Sequence, residues 1–145
     1  TLAIVAGMET AVGDSTFTIP ITNIRQSFKL EASEIIRDTN GKEMIKRMDE
    51  FFPILRLHNL YAIEPRHENL EDGILIWVES GDTGYCLFVD ELVGEHQVVV
   101  KPLPSYLNNF SIKNSGIAGC TIMGDGNISL TLDIPNLYNV ANSMY

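Results

Sequence analysis

Tight-turn signals recur along this chain at intervals too short for a helical protein, and runs rich in β-branched and aromatic residues fill the gaps between them. The clearest signals are Gly13-Asp14-Ser15, Asp38-Thr39-Asn40-Gly41, Ser80-Gly81-Asp82-Thr83 and Gly124-Asp125-Gly126. Each offers a residue that tolerates the positive φ a tight hairpin needs. Between them "TFTIPI", "GILIWVE", "GYCLFVDELVG", "HQVVVKPL" and "IAGCTIM" read as strands, and Pro20 makes the first of these an edge or a strand end. Roughly eight to eleven short strands at about ten-residue spacing predict an all-β barrel or sandwich, built as two small packed barrels. The polar stretch "EPRHENLEDG", residues 64–73, reads as the connector between halves. That places a first barrel mainly over 8–64 and a second mainly over 72–132. "HNLYAI" reads as a short helical turn. "PSYLNNFSIKNSG" is a second polar loop. At the end of the chain Leu137, Val140, Ala141 and Met144 fall on one helical face, predicting a short C-terminal helix over about 135–144.

Composition excludes several function classes. With 10 basic and 19 acidic residues the chain carries a net charge of −9, and no basic stripe interrupts it. Such a surface repels a phosphate backbone, so nucleic acid and anionic membrane are excluded as partners. The longest apolar runs, "LAIVAGM" and "GILIWV", are far short of the ~18 residues of a membrane span, so direct membrane insertion is not expected. At 145 residues the chain reads as a single domain. Its pattern opens in mid-strand at Thr1, as expected for a piece of a longer protein. Cys86 and Cys120 both sit inside strand patterns, which favours buried free thiols in a reducing cytosol over a disulfide.

Chemical motifs are thin. Asp125, Asn127 and Ser129 fall at positions 1, 3 and 5 of an EF-hand count, but position 6 is Leu130 and position 12 is Asn136. The obligatory turn glycine and bidentate glutamate are both missing, so calcium is excluded there. A phosphate loop would open a helix. After Gly126 the chain alternates instead, with Ile128, Leu130, Leu132 and Ile134 on one face and Asn127, Ser129, Thr131 and Asp133 on the other. Gly124, Asp125 and Gly126 therefore read as a structural turn ahead of a half-buried strand, with Gly124 or Gly126 at positive φ. Cys86 with His96 and Asp90 is the best covalent candidate, yet Cys86 lies mid-strand, where a thiol is inert. His58, His67 and His96 show no ligand spacing and read as surface residues. Glu91 and Glu95 sit in a strand and its turn, and Trp77 reads as core. No catalytic, cofactor-binding or metal-binding residue is assigned. An acidic β-barrel binding module is the reading these residues support. A small-molecule barrel and a cysteine-dependent enzyme are the two other classes.

The hairpin around Asn40-Gly41 marks a candidate partner face. Adjacent strand residues point to opposite sides of a sheet, so Ile35 and Ile36 cannot both enter one small barrel. Met44 and Ile45 repeat the pattern on the return strand. One isoleucine is expected in the core and the other on an outer face that a partner covers.

"GYCLFVDELVGEHQVVVKPL" followed by "GIAGCTIMGDGNISLTLDI" resembles the CheW-like regulatory domain at the C-terminus of the chemotaxis histidine kinase CheA. Gly84, Val89, Asp90, Glu91 and Gly94 match that family's glycine, apolar strand, Val-Asp-Glu and glycine. Val99, Lys101 and Leu103 match its Val-Val-x-Lys-x-Leu segment, and Gly119, Ile122, Gly124, Asp125, Gly126, Leu132 and Asp133 the segment through the Gly-Asp-Gly turn. "FTIPITNI" and "FFPILRL" match its upstream segments, and "TLAIVAGM" is similar to the joint that follows the kinase's ATP-binding domain. Thr131 departs from the pattern, standing where the family has an aliphatic residue. The resemblance implies two packed SH3-like five-stranded barrels and no catalysis in this domain. It implies docking of the coupling protein CheW and of cytoplasmic chemoreceptor tips, so that receptor state controls autophosphorylation in other domains of the same kinase. A cytoplasmic location, at the inner face of the membrane through receptor arrays, follows from that role. A stand-alone CheW-type coupling protein shares the fold and is the alternative.

Overall fold

The computed structural model describes residues 3–103 and 116–144. Among these residues the chain forms, in order, β1 (Ala3–Val12), β2 (Ser15–Pro20), β3 (Ile24–Phe28), β4 (Ile36–Arg37), β5 (Glu43–Arg47), β6 (Glu50–Arg56), α1 (Leu57–Leu60), β7 (Ile74–Ser80), β8 (Thr83–Val89), β9 (Glu91–Val100), β10 (Ile117–Ile122), β11 (Ile128–Leu132) and α2 (Ile134–Met144). The second polar loop lies outside the described residues, apart from Gly116.

The strands form two curled sheets, ordered β10-β11-β2-β1-β9 and β3-β7-β8-β6-β5-β4. In the first, Lys101 and Cys120 exchange both backbone hydrogen bonds at 2.8 and 2.9 Å, which draws the two outer strands together. In the second, an Arg25 N–H reaches Met48 Sδ at 3.2 Å and the Arg47 guanidinium lies 4.6 Å from the Phe28 ring centroid. Those contacts bring β3 round to the β5–β6 hairpin.

Local chemistry explains the hairpins. Val12 pairs with Ser15 and Ser80 with Thr83, so Gly13-Asp14 and Gly81-Asp82 are two-residue turns. Asp38 braces the β4–β5 loop, its carboxylate accepting the Asn40 and Lys42 N–H groups at 2.8 and 2.9 Å. A third two-residue turn joins Arg47 to Glu50 through Met48 and Asp49, at φ of +50° and +63°. Neither residue belongs to the usual glycine turn vocabulary, which is why no sequence signal marks it.

The strand order departs from the expected division into chain halves, 8–64 and 72–132. β1 and β2 pair with β9 and β11, while β7 and β8 pair with β3 and β6. Two parallel pairings decide this: Thr16–Thr18 along Ser129–Thr131, and Ile54–Arg56 along Cys86–Phe88. Both join strands distant in the chain, and strand periodicity carries no information about which distant strand pairs with which.

The larger core lies between the sheets and under α2. It joins Phe17 and Ile19 of the first sheet to Ile76, Tyr85 and Leu87 of the second and to Leu137 of the helix. Leu137, Val140 and Ala141 are buried as their spacing predicts, and the Tyr85 hydroxyl donates to the Ile134 carbonyl at 2.6 Å. The Met144 side chain falls outside the described positions. A second core fills the second sheet, with Trp77 3% exposed and tilted against Phe52 at 4.8 Å.

β11 buries its polar face fully and its apolar face only in part. Its polar face enters the first sheet's interior, with Ser129 at 0% and Thr131 at 3% exposure, while Ile128 is 49% exposed. The Thr18 hydroxyl donates to Glu9 Oε1 at 2.6 Å and lies 2.7 Å from the Ser129 hydroxyl, so a small polar network accounts for Ser129, while the Thr131 hydroxyl is buried without a hydrogen-bond partner. Thr131 in place of an aliphatic residue therefore does not expose the strand.

Candidate protein-interaction face

The chemical candidates of the sequence do not converge. Cys86 is fully buried in the second core, where burial pushes its thiol up to about 12. His96 is exposed on β9 of the other sheet. Asp90 is not available as a partner to either. Its Oδ2 accepts the Gly13 and Arg66 N–H groups at 2.6 and 3.0 Å, and its Oδ1 the His67 N–H at 3.0 Å. Burial pushes the Asp90 carboxyl up, but those three donors outweigh it and hold the group below its ordinary value. His58 corrects a reading: it is 8% exposed rather than on the surface. Helix α1 turns it into the protein, edge-on to Phe88 at 5.9 Å, and burial followed by the nearby Arg56 charge lowers its pKa. Among the described residues no three His, Cys, Asp or Glu side chains come close enough to hold a metal ion.

At Gly124-Asp125-Gly126 the chain makes a turn between β10 and β11. Gly126 takes φ of +88° and donates its N–H to the Met123 carbonyl at 2.9 Å. Asp125 accepts the Asn127 N–H at 3.0 Å, which occupies its carboxylate locally.

The β4–β5–β6 hairpins carry a candidate face of exposed apolar side chains. Register places Ile36 opposite Met44 and Met44 opposite Pro53 in one row, and Lys46 opposite Phe51 in the next. All five therefore share one side of the sheet. The opposite side holds Ile45 and Phe52, cross-strand partners at 0% and 8% exposure. Ile36 is 37% exposed, Phe51 56% and Met48, at the β5–β6 turn, 72%. The Lys46 ammonium sits 5.9 Å from the Phe51 ring centroid, giving the apolar row a charged rim.

Charge pairs hold this sheet rigid. Glu43 accepts from Arg56 Nε and Nη2 at 2.7 and 3.0 Å and from Arg37 Nη2 at 3.1 Å, tying β4, β5 and β6 together. The Arg56 hydrogen bonds dominate the environment of Glu43 and hold its carboxyl below the ordinary value. Arg47 pairs with Glu34 at 3.0 Å, anchoring the one-turn helix before Ile35. Electrostatically this end differs from the rest. Arg25, Lys29, Arg37, Lys42, Lys46, Arg47 and Arg56, seven of the ten basic residues, lie between positions 25 and 56 with six of the nineteen acids. That leaves three basic and thirteen acidic residues for the remainder of the chain.

The face the sequence indicated is thus partly redrawn. Ile36 and Met44 lie on it. Ile45 does not: it is fully buried, because its neighbour Met44 takes the outward position. Ile35 is half-buried against the second core. Phe51, Pro53 and Lys46 were missed, since "FFPILRL" shows no alternation and its pairing register is needed to say which residues face out. A further row of exposed aliphatic residues crosses the first sheet, Ile4 opposite Val99 and Ile122 opposite Ile128.

Comparison with known proteins follows the same lines. The chain is 33% identical over 137 residues to the chemotaxis protein CheA of Klebsiella aerogenes, covering 94% of this chain and 20% of that protein. It is 34% identical over 138 residues to CheA of Treponema pallidum, covering 94% of this chain and 16% of that one. It therefore spans about a fifth, or less, of the length of these relatives. The crystal structure of the scaffolding protein TtCheW from Thermoanaerobacter tengcongensis has the same fold, with a TM-score of 0.68 at 14% identity, covering 90% of this chain and 89% of that one. The CheW-like domain family matches residues 7–142, so with its two sheets and C-terminal helix the chain belongs to that family.

Proposed function

We propose that this domain is a non-catalytic regulatory and scaffolding module of a chemotaxis histidine kinase. It docks a CheW-type coupling protein and the cytoplasmic tips of chemoreceptors, so that receptor state governs autophosphorylation in other domains of the kinase. The similarity to a segment of CheA supports membership of a kinase. The docking role rests on one observation, the outward row Ile36, Met44, Pro53 and Phe51 on a sheet braced by Glu43. Apolar side chains held rigid at the surface bind at little ordering cost. The surrounding residues 25–56, unlike the acidic remainder, do not repel another acidic protein. No helix among the described residues is long and apolar enough to cross a membrane, and placement at its inner face would come through receptor arrays.

Single substitutions test the face. Ile36→Asp and Phe51→Asp should keep the melting temperature within a few degrees and abolish retention of a CheW-type protein in a pull-down. Ile45→Asp should unfold the domain, because an unpaired charge in a core costs several kcal/mol. Folded Ile36 and Phe51 variants that still bind would remove this face from the interface. The second reading is a stand-alone CheW-type coupling protein, which the shared fold of TtCheW supports. Fusing the chain to a kinase lacking its own regulatory domain separates the two. Restored receptor control of autophosphorylation marks the kinase module.

A further inference from the structure

The connection between β6 and β7 leaves the second sheet at α1, passes over the first, and returns at the one-turn helix Leu70–Asp72. Its ends are anchored by buried Leu57, Leu60 and Leu70. Its middle is not built into either sheet. Residues 64–69 form no strand or helix, and Glu64, Arg66, Glu68 and Asn69 are exposed. Tyr61 and Ile63 at its start pack on the larger core, and the Ile63 N–H donates to the His58 carbonyl at 2.9 Å, so what holds the middle of the strap down is Asp90. That residue stands where the chain leaves β8 of the second sheet for β9 of the first. Its own N–H donates to the Ala11 carbonyl at 2.9 Å. Its carboxylate, 4% exposed as a residue, takes the Arg66 and His67 N–H groups of the strap together with the Gly13 N–H of the β1–β2 turn. Other polar contacts of the strap's middle are local or peripheral: Asn69 with Asp72 at 3.0 and 3.3 Å, an Arg56 N–H to the Glu68 carbonyl, and Arg66 near Asp14 and Glu91 at 3.5 and 3.7 Å, where more than half of the Arg66, Asp14 and Glu91 side chains is exposed. Exposed pairs of that kind contribute little. The fit beneath is close, since a Cβ on Gly13 would lie 2.3 Å from the Glu64 carbonyl oxygen.

We propose that Asp90 is a latch, and that the strap's middle, residues 64–69, opens as a unit when the latch releases while both sheets stay folded. A single carboxylate gathers three backbone donors from two segments, so losing it frees all three at once. Opening uncovers the junction of the two sheets at Gly13, which now lies beneath the Glu64 carbonyl. The inference stands apart from the docking reading, because it concerns a motion rather than a partner.

Amide hydrogen exchange on the full chain tests it, comparing Arg66 and His67 with Ile76 and Leu87 of the β7–β8 ladder. In the wild type, exchange at Arg66 and His67 should be insensitive to low urea while Ile76 and Leu87 respond steeply, the signature of local against global opening. In Asp90→Asn the two strap amides should exchange at least tenfold faster, and by a larger factor than the ladder amides, which follow only the change in global stability. Equal urea dependence at all four sites in the wild type overturns the proposal. So does an Asp90→Asn variant whose strap amides stay protected, or one in which strap and ladder amides accelerate by the same factor.

Discussion

Gly126 shows how much can rest on one dihedral. Its φ of +88° lies in the left-handed region, yet nothing stands within 4 Å of where a Cβ would be. The cost of a side chain there is conformational rather than steric. Gly126→Val is expected to destabilise by about 1 kcal/mol or more, read as a lower urea midpoint with an unchanged slope. Gly124→Ala, at a position without positive φ, should move the midpoint far less. Equal losses at both glycines would show that the turn is held by something other than this dihedral. The motif was legible in the sequence as a turn, because Gly-Asp-Gly before an alternating run has few other uses. Which glycine carried the strained angle was not, since only the hydrogen-bonded geometry chooses between them.

Among the elements, the β5–β6 hairpin stands out for carrying two positive-φ residues without glycine. Met48 and Asp49 at +50° and +63° each hold roughly 1–3 kcal/mol of backbone strain, offset by the pairing on either side. Asp49→Gly is expected to relieve part of it and raise the urea midpoint by about 1 kcal/mol of stability. A loss of stability on that change would mean the aspartate side chain contributes more than the strain it imposes. The same hairpin aims Met48 and Phe51 outward, so the strain sits beside the face assigned to partner docking. The neighbouring β4–β5 hairpin could be located from Asn40-Gly41 alone. Its flat apolar partner β6 could not be oriented, because consecutive Phe51 and Phe52 look alike until register sends one out and one in.

For the whole molecule, two carboxylates tie separate elements together, and both are held below their ordinary values. Glu43 joins three strands through arginines, and Asp90 joins the strap to both sheets. A carboxylate with a lowered folded-state pKa contributes stability above its unfolded pKa of about 4 and loses it as pH falls through the folded value. The stability gap between wild type and either Glu43→Gln or Asp90→Asn should therefore be constant from neutrality to about pH 5 and close below about pH 4. Urea melts across that range measure it, and a gap that stays open to pH 2 would mean the groups act by packing instead of charge.

By itself the sequence determined most turns and strands, the buried thiols and the C-terminal helix, because each depends on local periodicity or on a residue with special backbone freedom. It also marked Ile35, Ile36, Met44 and Ile45 as a candidate face through simple alternation, without saying which of each pair points outward. Only the tertiary structure decided that β1 and β2 belong with β9 and β11, that Glu9, Thr18 and Ser129 share a buried polar network, and that His58 points inward. The physical reason is common to all three. A period of two reports that a strand has two faces, but the neighbour that covers each face is chosen by long-range register and by closure of the sheets, which no local pattern encodes.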